Sequence, residues 1–272
     1  MIKKMDNKST NYKFTDESSN CYEGSSAKKL IELLGDKKYL TNEGICKIDK
    51  ERWDIAQCYE KSEWMSRNLI LKDDRNYFHK DIFEDYGCLD GVDVESIIEL
   101  GCGPFTNARL ILEKFPNIEE VTLLDPLATD YLNHPNCRYK NSKLSMESRN
   151  SNPSVKLISN SIEDSNILQT FDMVVMINVL EHCFDIPKIF KTIDKILNKN
   201  GILIYADVQF DLDVVETMAK FKYNAGHPIR VTKSYINNIL NSKYKPLFSK
   251  TFEEEVSGLK GEERYFIGKK LE

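Results

Sequence analysis

The sequence has no CxxC pair, and its seven cysteines are odd in number and scattered from Cys21 to Cys183. That excludes a disulfide framework and a cysteine-based zinc site, and it makes a reducing cytosol the expected compartment. No apolar run approaches the roughly 20 residues that span a bilayer. The opening MIKKMDNKST carries charge with no apolar stretch after it, so neither a membrane span nor a secretory signal is expected. Glycine (12) and proline (8) are sparse, which removes collagen-like and low-complexity classes. Positive charge is not in excess either. The 43 acidic and 38 basic residues leave a net charge of −5, so phosphate-backbone binding is not expected as the main task. There is no internal repeat. What remains is a chain of 272 residues, 41% hydrophobic and 30% charged, with the balance of an ordinary globular protein. A chain of this length buries about 70–75% of its unfolded surface and needs no metal or disulfide for stability.

The chain divides at residue 94. Residues 1–26 are polar and predict a frayed start. Helical patterns follow over 27–34, 49–71 and 77–86, with no strand signal before residue 95, so 1–94 reads as a polar segment and a helical cap. From 95 to 272 short apolar strands alternate with helices. Strands are expected at 96–100, 121–124, 155–159, 171–177 and 202–206, and helices at 107–115 and 185–200. Asp185 is placed to cap the second of these, with Pro187 in its first turn and Asn200-Gly201 at its end. Residues 129–154 read as a polar excursion loop. A helix over 232–240 and strands at 247–252 and 264–268, joined through the Gly258–Gly261 turn, predict a terminal hairpin on the sheet edge. The expected fold is α/β: a Rossmann-like, seven-stranded, mostly parallel sheet with an antiparallel last strand, a helical N-terminal cap, and an acceptor-site insertion at about 207–235.

The run Glu99-Leu100-Gly101-Cys102-Gly103-Pro104 lies between a strand and a helix. Glycines there let a ligand approach the backbone, and the helix start offers free N–H groups. Asp125 ends the next strand, where a carboxylate can accept both hydroxyls of a ribose. A tight turn with a chance aspartate is the plainer alternative. Thr106 stands where a dinucleotide fingerprint wants its third glycine.

At this point the sequence resembles the class I S-adenosylmethionine-dependent methyltransferases. Their first motif is matched by Glu99, Gly101 and Gly103, their second by Asp125, their third by Asn160-Ser161-Ile162-Glu163-Asp164. Their fourth is matched by the strand Phe171–Ile177 with Asn178-Val179-Leu180-Glu181-His182. Phe105 and Ser161 depart from the pattern, at a frequent glycine and at a frequent adenine-contacting aspartate. The resemblance implies S-adenosylmethionine as cofactor and S-adenosylhomocysteine as product. It implies that Gly101, Gly103 and Asn178 face the methionine part, with Glu99 suited to its ammonium. Asp125 would hold the ribose, and Leu127, Ile162 and Glu163 the adenine. The cap aromatics Trp53, Tyr59 and Trp64 would close over the cofactor or, equally, only pack the helices.

Glu181, His182 and His227 are the catalytic candidates. A general base there contributes typically 10²–10⁴-fold. A divalent-metal site of the glutamate-histidine kind found in small-RNA 3′-end methyltransferases is the less favoured reading, because Asn178 replaces one ligand, and a structural role is the third. Arg230, Tyr223 and Asp207 are candidate acceptor contacts, and Lys220 and Lys222 are expected on a solvated surface. His79 and His134 are also expected on the surface, as is the run Glu253–Glu255. The implied activity is O-methylation of a small sugar-, nucleotide- or phosphate-linked metabolite. An RNA or protein methyltransferase, and an idle cofactor-binding partner subunit, stay open as alternatives.

Overall fold

The computed structural model describes residues 36–66, 75–146, 152–221, 224–256 and 258–271. The helix expected at 27–34 and the residues Lys222 and Tyr223 lie outside these. After a 3₁₀ turn at Asp36–Tyr39 come β1 (Gly44–Ile45), α1 (Lys50–Ser66) and α2 (Asn76–Ile82). The sheet then opens with β2 (Ile97–Leu100), α3 (Ala108–Ile111), β3 (Glu120–Leu124), α4 (Ala128–Tyr131), β4 (Ser154–Ile158) and β5 (Phe171–Ile177). It continues with α5 (Ile186–Ile196), β6 (Leu197–Gln209), α6 (Leu212–Phe221), β7 (Arg230–Val231), α7 (Lys233–Lys243), β8 (Tyr244–Val256) and β9 (Leu259–Lys270). The seven-stranded sheet has the order β4-β3-β2-β5-β6-β9-β8. β2 to β6 run parallel, and β9 is antiparallel to both β6 and β8. This is the Rossmann-like arrangement expected from the sequence.

Successive residues of a strand face opposite sides of the sheet, and both sides are covered here. Ile98, Leu100, Val174, Met176, Leu203 and Tyr205 join a core with Ile189, Phe190, Ile193 and Ile196 of α5. Their neighbours Ile97, Met173, Val175, Ile202 and Ile204 join a second core with Phe83, Tyr86, Ile111 and Tyr139. Double burial explains why these strands read as continuous apolar runs. The Lys188 amide donates to Asp185 Oδ1, so Asp185 caps α5 as expected.

Several local expectations are corrected. A strand does precede residue 95: β1 pairs with β7 and ties the cap to the segment after β6. The third cap helix ends at Ile82, because Glu84, Asp85 and Tyr86 take positive φ in the turn that follows. Asn200-Gly201 falls inside β6 rather than ending α5. Of the excursion expected at 129–154, residues 147–151 lie outside the described residues, and the described part 129–146 is largely loop but is anchored in the second core by Tyr131, Cys137, Tyr139 and Leu144. His79 and His134 are buried, not surface residues, and His79 Nδ1 lies 2.9 Å from the Tyr265 hydroxyl. The Glu253–Glu255 run sits on the edge strand β8, where charge discourages strand addition. No described helix is long and apolar enough to cross a membrane.

Candidate active site

A cavity of about 350 Å³ opens at the carboxyl ends of β2 to β5. Its floor comes from four strand-to-helix turns. Gly101 and Gly103 follow β2, Asp125 and Leu127 follow β3, Ile162 and Glu163 follow β4, and Asn178 follows β5. Gly101 takes φ +70°, and a Cβ on it would stand 2.6 Å from both methyl groups of Val179. Only glycine lets the two turns meet. Asn178 is also left-handed, at φ +58°, which asparagine tolerates better than most residues.

Asp125 is bound on both oxygens. Oδ2 accepts from the Gly103 amide at 3.0 Å and Oδ1 from the Leu127 amide at 2.8 Å. Burial pushes its pKa up to about 6 against these two bonds. Glu163 Oε1 accepts from the amides of Phe184 and Asp185 at 2.7 and 3.1 Å, so it fastens the start of α5 to the turn after β4.

The roof is one face of α1. Trp53, Gln57, Glu60 and Trp64 are spaced four, three and four residues apart and all line the cavity, as does Tyr59. The Trp53 indole N–H and the Gln57 amide donate to the His182 carbonyl at 2.9 and 3.1 Å. Trp64 meets the rings of Phe105, Tyr131 and His134 edge-on. His134, read from sequence as a surface residue, is thus part of the cavity wall.

At one end of the cavity four titratable side chains form a chain. His182 Nδ1 lies 3.4 Å from Glu60 Oε1, and His182 Nε2 lies 3.6 Å from Glu181 Oε1. Glu181 Oε2 lies 3.5 Å from His227 Nδ1, and the two imidazoles stand edge to face at 4.6 Å. Burial opposes charge on His182, but Glu60, Glu181 and Asp207 outweigh it and raise its pKa. Burial lowers the pKa of His227, and the neighbouring His182 adds to that against the pull of Glu181. Burial works against charge on Glu181 too, yet the two histidines hold its pKa below the usual value. The chain therefore sets a histidine that favours its proton beside one that favours the free base. Glu60, His182 and His227 also offer one ligand atom each within 4.8 Å of one another, a donor set for a divalent cation. Glu60 supplies the carboxylate that the sequence pattern lacked at Asn178. Its signal was present in the 53/57/60/64 stripe, a charged residue on an otherwise aromatic and amide face.

Three expected site residues do other work. Glu99 does not reach the cavity. Its carboxylate accepts from the Thr106 hydroxyl, the Asn107 amide at 2.8 Å and the Ala108 amide at 3.0 Å, and so caps α3 from inside β2. Asp207 is buried behind the β5 turn, where its Oδ2 accepts from the Val179 and Leu180 amides at 2.9 and 2.7 Å. Arg230 is buried against Asp36 at 3.1 Å and does not line the cavity. Tyr223 falls outside the described residues. Lys220 lies on the exposed surface beside Glu216.

Residues 65–242 match the methyltransferase domain family. The fold is similar to that of the N-methyltransferase NodS from Bradyrhizobium japonicum WM9, solved with S-adenosyl-L-homocysteine: TM-score 0.54 at 15% identity, over 80% of this chain and 99% of that one. It is also similar to a Leishmania major SAM-dependent methyltransferase, with TM-score 0.53 at 16% identity over 80% of this chain and 85% of that one. A search of curated proteins finds no match. The glycine turn, the strand-end carboxylate and the family match agree: the chain belongs to the methyltransferase domain family and is a class I S-adenosylmethionine-dependent methyltransferase.

Proposed function

We propose that the enzyme moves the methyl group of S-adenosylmethionine to a hydroxyl of a small, polar, uncharged metabolite and releases S-adenosylhomocysteine. The observation that carries this reading is the Glu60–His182–Glu181–His227 chain at the end of the cofactor cleft. In the reading, Asp125 accepts from the ribose hydroxyls, while Leu127, Ile162 and Glu163 flank the adenine. Gly101, Gly103 and Asn178 face the methionine part, and Tyr59 and Trp64 close over it.

The sulfonium makes the methyl group reactive, so the protein has to align acceptor, carbon and sulfur and keep water out. Positioning of this kind supplies roughly 7–11 kcal/mol. A hydroxyl must also lose its proton as the carbon–oxygen bond forms. His227 is the base: its lowered pKa leaves it neutral at neutral pH, and Glu181 stands ready to hold the imidazolium that forms. His182 lies between the Glu60 and Glu181 carboxylates, which favour its charged form.

The phosphate-linked acceptors raised by the sequence lose their support. Arg230 is spent on Asp36. Among the described residues the cavity is lined by Glu60, Glu63, Asp125, Glu163 and Glu181 against a single arginine, Arg75. That lining repels an anion, and it also disfavours RNA. The idle-partner alternative needs an acceptor space filled by cap aromatics, whereas Trp53 and Trp64 leave the cavity open. The six described cysteines are all free thiols.

The test is His227→Ala and His182→Ala in an assay of labelled methyl transfer into the metabolite fraction of a cell extract. His227→Ala should lower turnover about 10²–10⁴-fold while calorimetry shows S-adenosylhomocysteine binding intact. Full turnover in both variants removes the base assignment.

A further inference from the structure

Asp207 stands near the carboxyl end of β6, 1% exposed and outside the cavity lining. Its Oδ2 accepts from two successive amides, Val179 at 2.9 Å and Leu180 at 2.7 Å, and its Oδ1 accepts from the Val208 amide at 2.9 Å. Successive amides that converge on one oxygen form a concave seat for an anion. The residue before them, Asn178, is left-handed at φ +58° and donates its own amide to the Ala206 carbonyl at 2.7 Å. Beyond them, the amides of His182 and Cys183 close back on the Val179 and Leu180 carbonyls at 3.0 and 3.1 Å. The end of β6 thus takes three amides in a row, from Asn178 to Leu180, and the short turn that follows is built on that seat.

What the turn presents matters to the site. Asn178, Glu181 and His182 line the cavity, and Val179 packs against Gly101. The His182 carbonyl in turn receives Trp53 and Gln57 of the α1 roof. A neutral side chain could cap such a turn, as serine, threonine and asparagine do at helix starts. A buried carboxylate is the costlier choice. Burial and the neighbouring Glu181 push Asp207 up to about 7 against its three backbone bonds. What the charge adds is an effect on the turn's own imidazole, because Asp207 joins Glu60 and Glu181 in favouring the charged form of His182. The other charged and titratable groups around this pair are His227, Asp125, Cys183, Tyr205 and, opposite Asp207 on β9, Arg264.

We propose that Asp207 is a positioning residue for methyl transfer: its carboxylate seats the turn after β5 and so sets where Asn178 meets the cofactor and where Glu181 and His182 stand at the acceptor end. The inference rests on the reading of the Glu60–His182–Glu181–His227 chain as the acceptor-side machinery. Asp207 does not line the cavity and acts through the amides of Val179 and Leu180. A buried aspartate that served stability alone would, when replaced, lower the melting temperature and leave cofactor binding and the titration of His182 as they were.

The experiment uses the full chain with histidine labelled by nitrogen-15. Four histidines keep the ring spectrum simple, and His182→Gln assigns the signals of His182 by removing them. Calorimetry measures the binding of S-adenosylhomocysteine, and the ring signals of the saturated protein are followed against pH. Asp207→Ala removes both the seat and the charge. It should weaken S-adenosylhomocysteine about tenfold, as the turn loses two hydrogen bonds, and move the His182 titration about one pH unit lower. Asp207→Asn keeps an oxygen for the Val179 and Leu180 amides and removes the charge. It should restore most of the affinity and leave the His182 titration low. Wild-type affinity with an unshifted His182 in both variants overturns the proposal. If Asp207→Ala does not fold, Asp207→Asn decides alone: a lowered His182 titration supports the proposal and an unshifted one overturns it. Loss of the folded state in both assigns Asp207 to stability alone and overturns it too. Neither readout depends on turnover. The expected shifts together with full activity of His227→Ala would keep the seat and remove the base reading.

Discussion

Asp125 meets two demands with one carboxylate. Its oxygens hold the Gly103 and Leu127 amides, and in the proposed complex the same oxygens accept the ribose hydroxyls. Burial pushes it up to about 6, and only the charged form offers all its acceptor sites. Cofactor affinity is therefore full above that value and falls as the pH drops through it, about tenfold per pH unit at the limit. Calorimetric titration of S-adenosylhomocysteine from mildly alkaline to mildly acid solution checks the sign. Asp125→Ala should weaken binding about tenfold to a hundredfold at neutral pH, the cost of leaving buried hydroxyls without their acceptor; unchanged affinity would remove the ribose role. At this scale the sequence is a good guide to position and a poor one to duty. Asp125, Glu99, Asp207 and Arg230 all look like ligands in the sequence. The structure gives Asp207 to the backbone of the β5 turn, Glu99 to the start of α3 and Arg230 to Asp36. A buried charge needs partners, and protein amides satisfy it as well as a substrate does.

The elements that were legible are those whose information is local. β2, β3 and β5 are apolar runs buried on both faces, and Asp185 caps α5 through a neighbour three residues on. Asp185→Ala should cost about 1 kcal/mol and lower the melting temperature by about 2–4 °C, with activity retained; a melting curve decides. The burial of the described loop 129–146 was missed because its apolar residues are isolated among polar ones and show no period, although Tyr131, Tyr139 and Leu144 are core residues. The Asp36–Arg52 pair was invisible, and Glu60 was legible only as a place on the helix stripe, for another reason. Their partners lie more than a hundred residues away, at His182, Asn224, Ala225 and Arg230. Gly226→Ala tests the contact between elements most sharply. The added Cβ meets the Glu60 and Tyr59 side chains, so either these or the 224–227 segment must shift and the Glu60–His227 end of the cavity is disturbed. Turnover should fall with cofactor affinity intact, whereas a loss of cofactor binding would mean that the segment supports the cofactor instead.

At the scale of the molecule, the parallel sheet gathers four turns at one edge, and α1 and the 224–230 segment close the space above them. The Glu60–His182–Glu181–His227 cluster is thus assembled from three distant stretches, with the short β1–β7 pairing tying the first to the last. The Glu60–His182–His227 set is a place where proton transfer and cation binding compete for the same atoms. In the proton-chain account EDTA leaves activity intact, and complete loss restored by Zn²⁺ or Mn²⁺ would reassign the cluster as a metal centre. The central claim is methyl transfer to a small acceptor with His227 as base. Its most direct test is transfer of labelled methyl from S-adenosylmethionine into a cell extract, separated by size, for the wild type and His227→Ala side by side. The account predicts label in the metabolite fraction with the wild type and its near-complete loss with His227→Ala. Label in macromolecules, equal label from the two proteins, or no label from a wild type that binds the cofactor would contradict it.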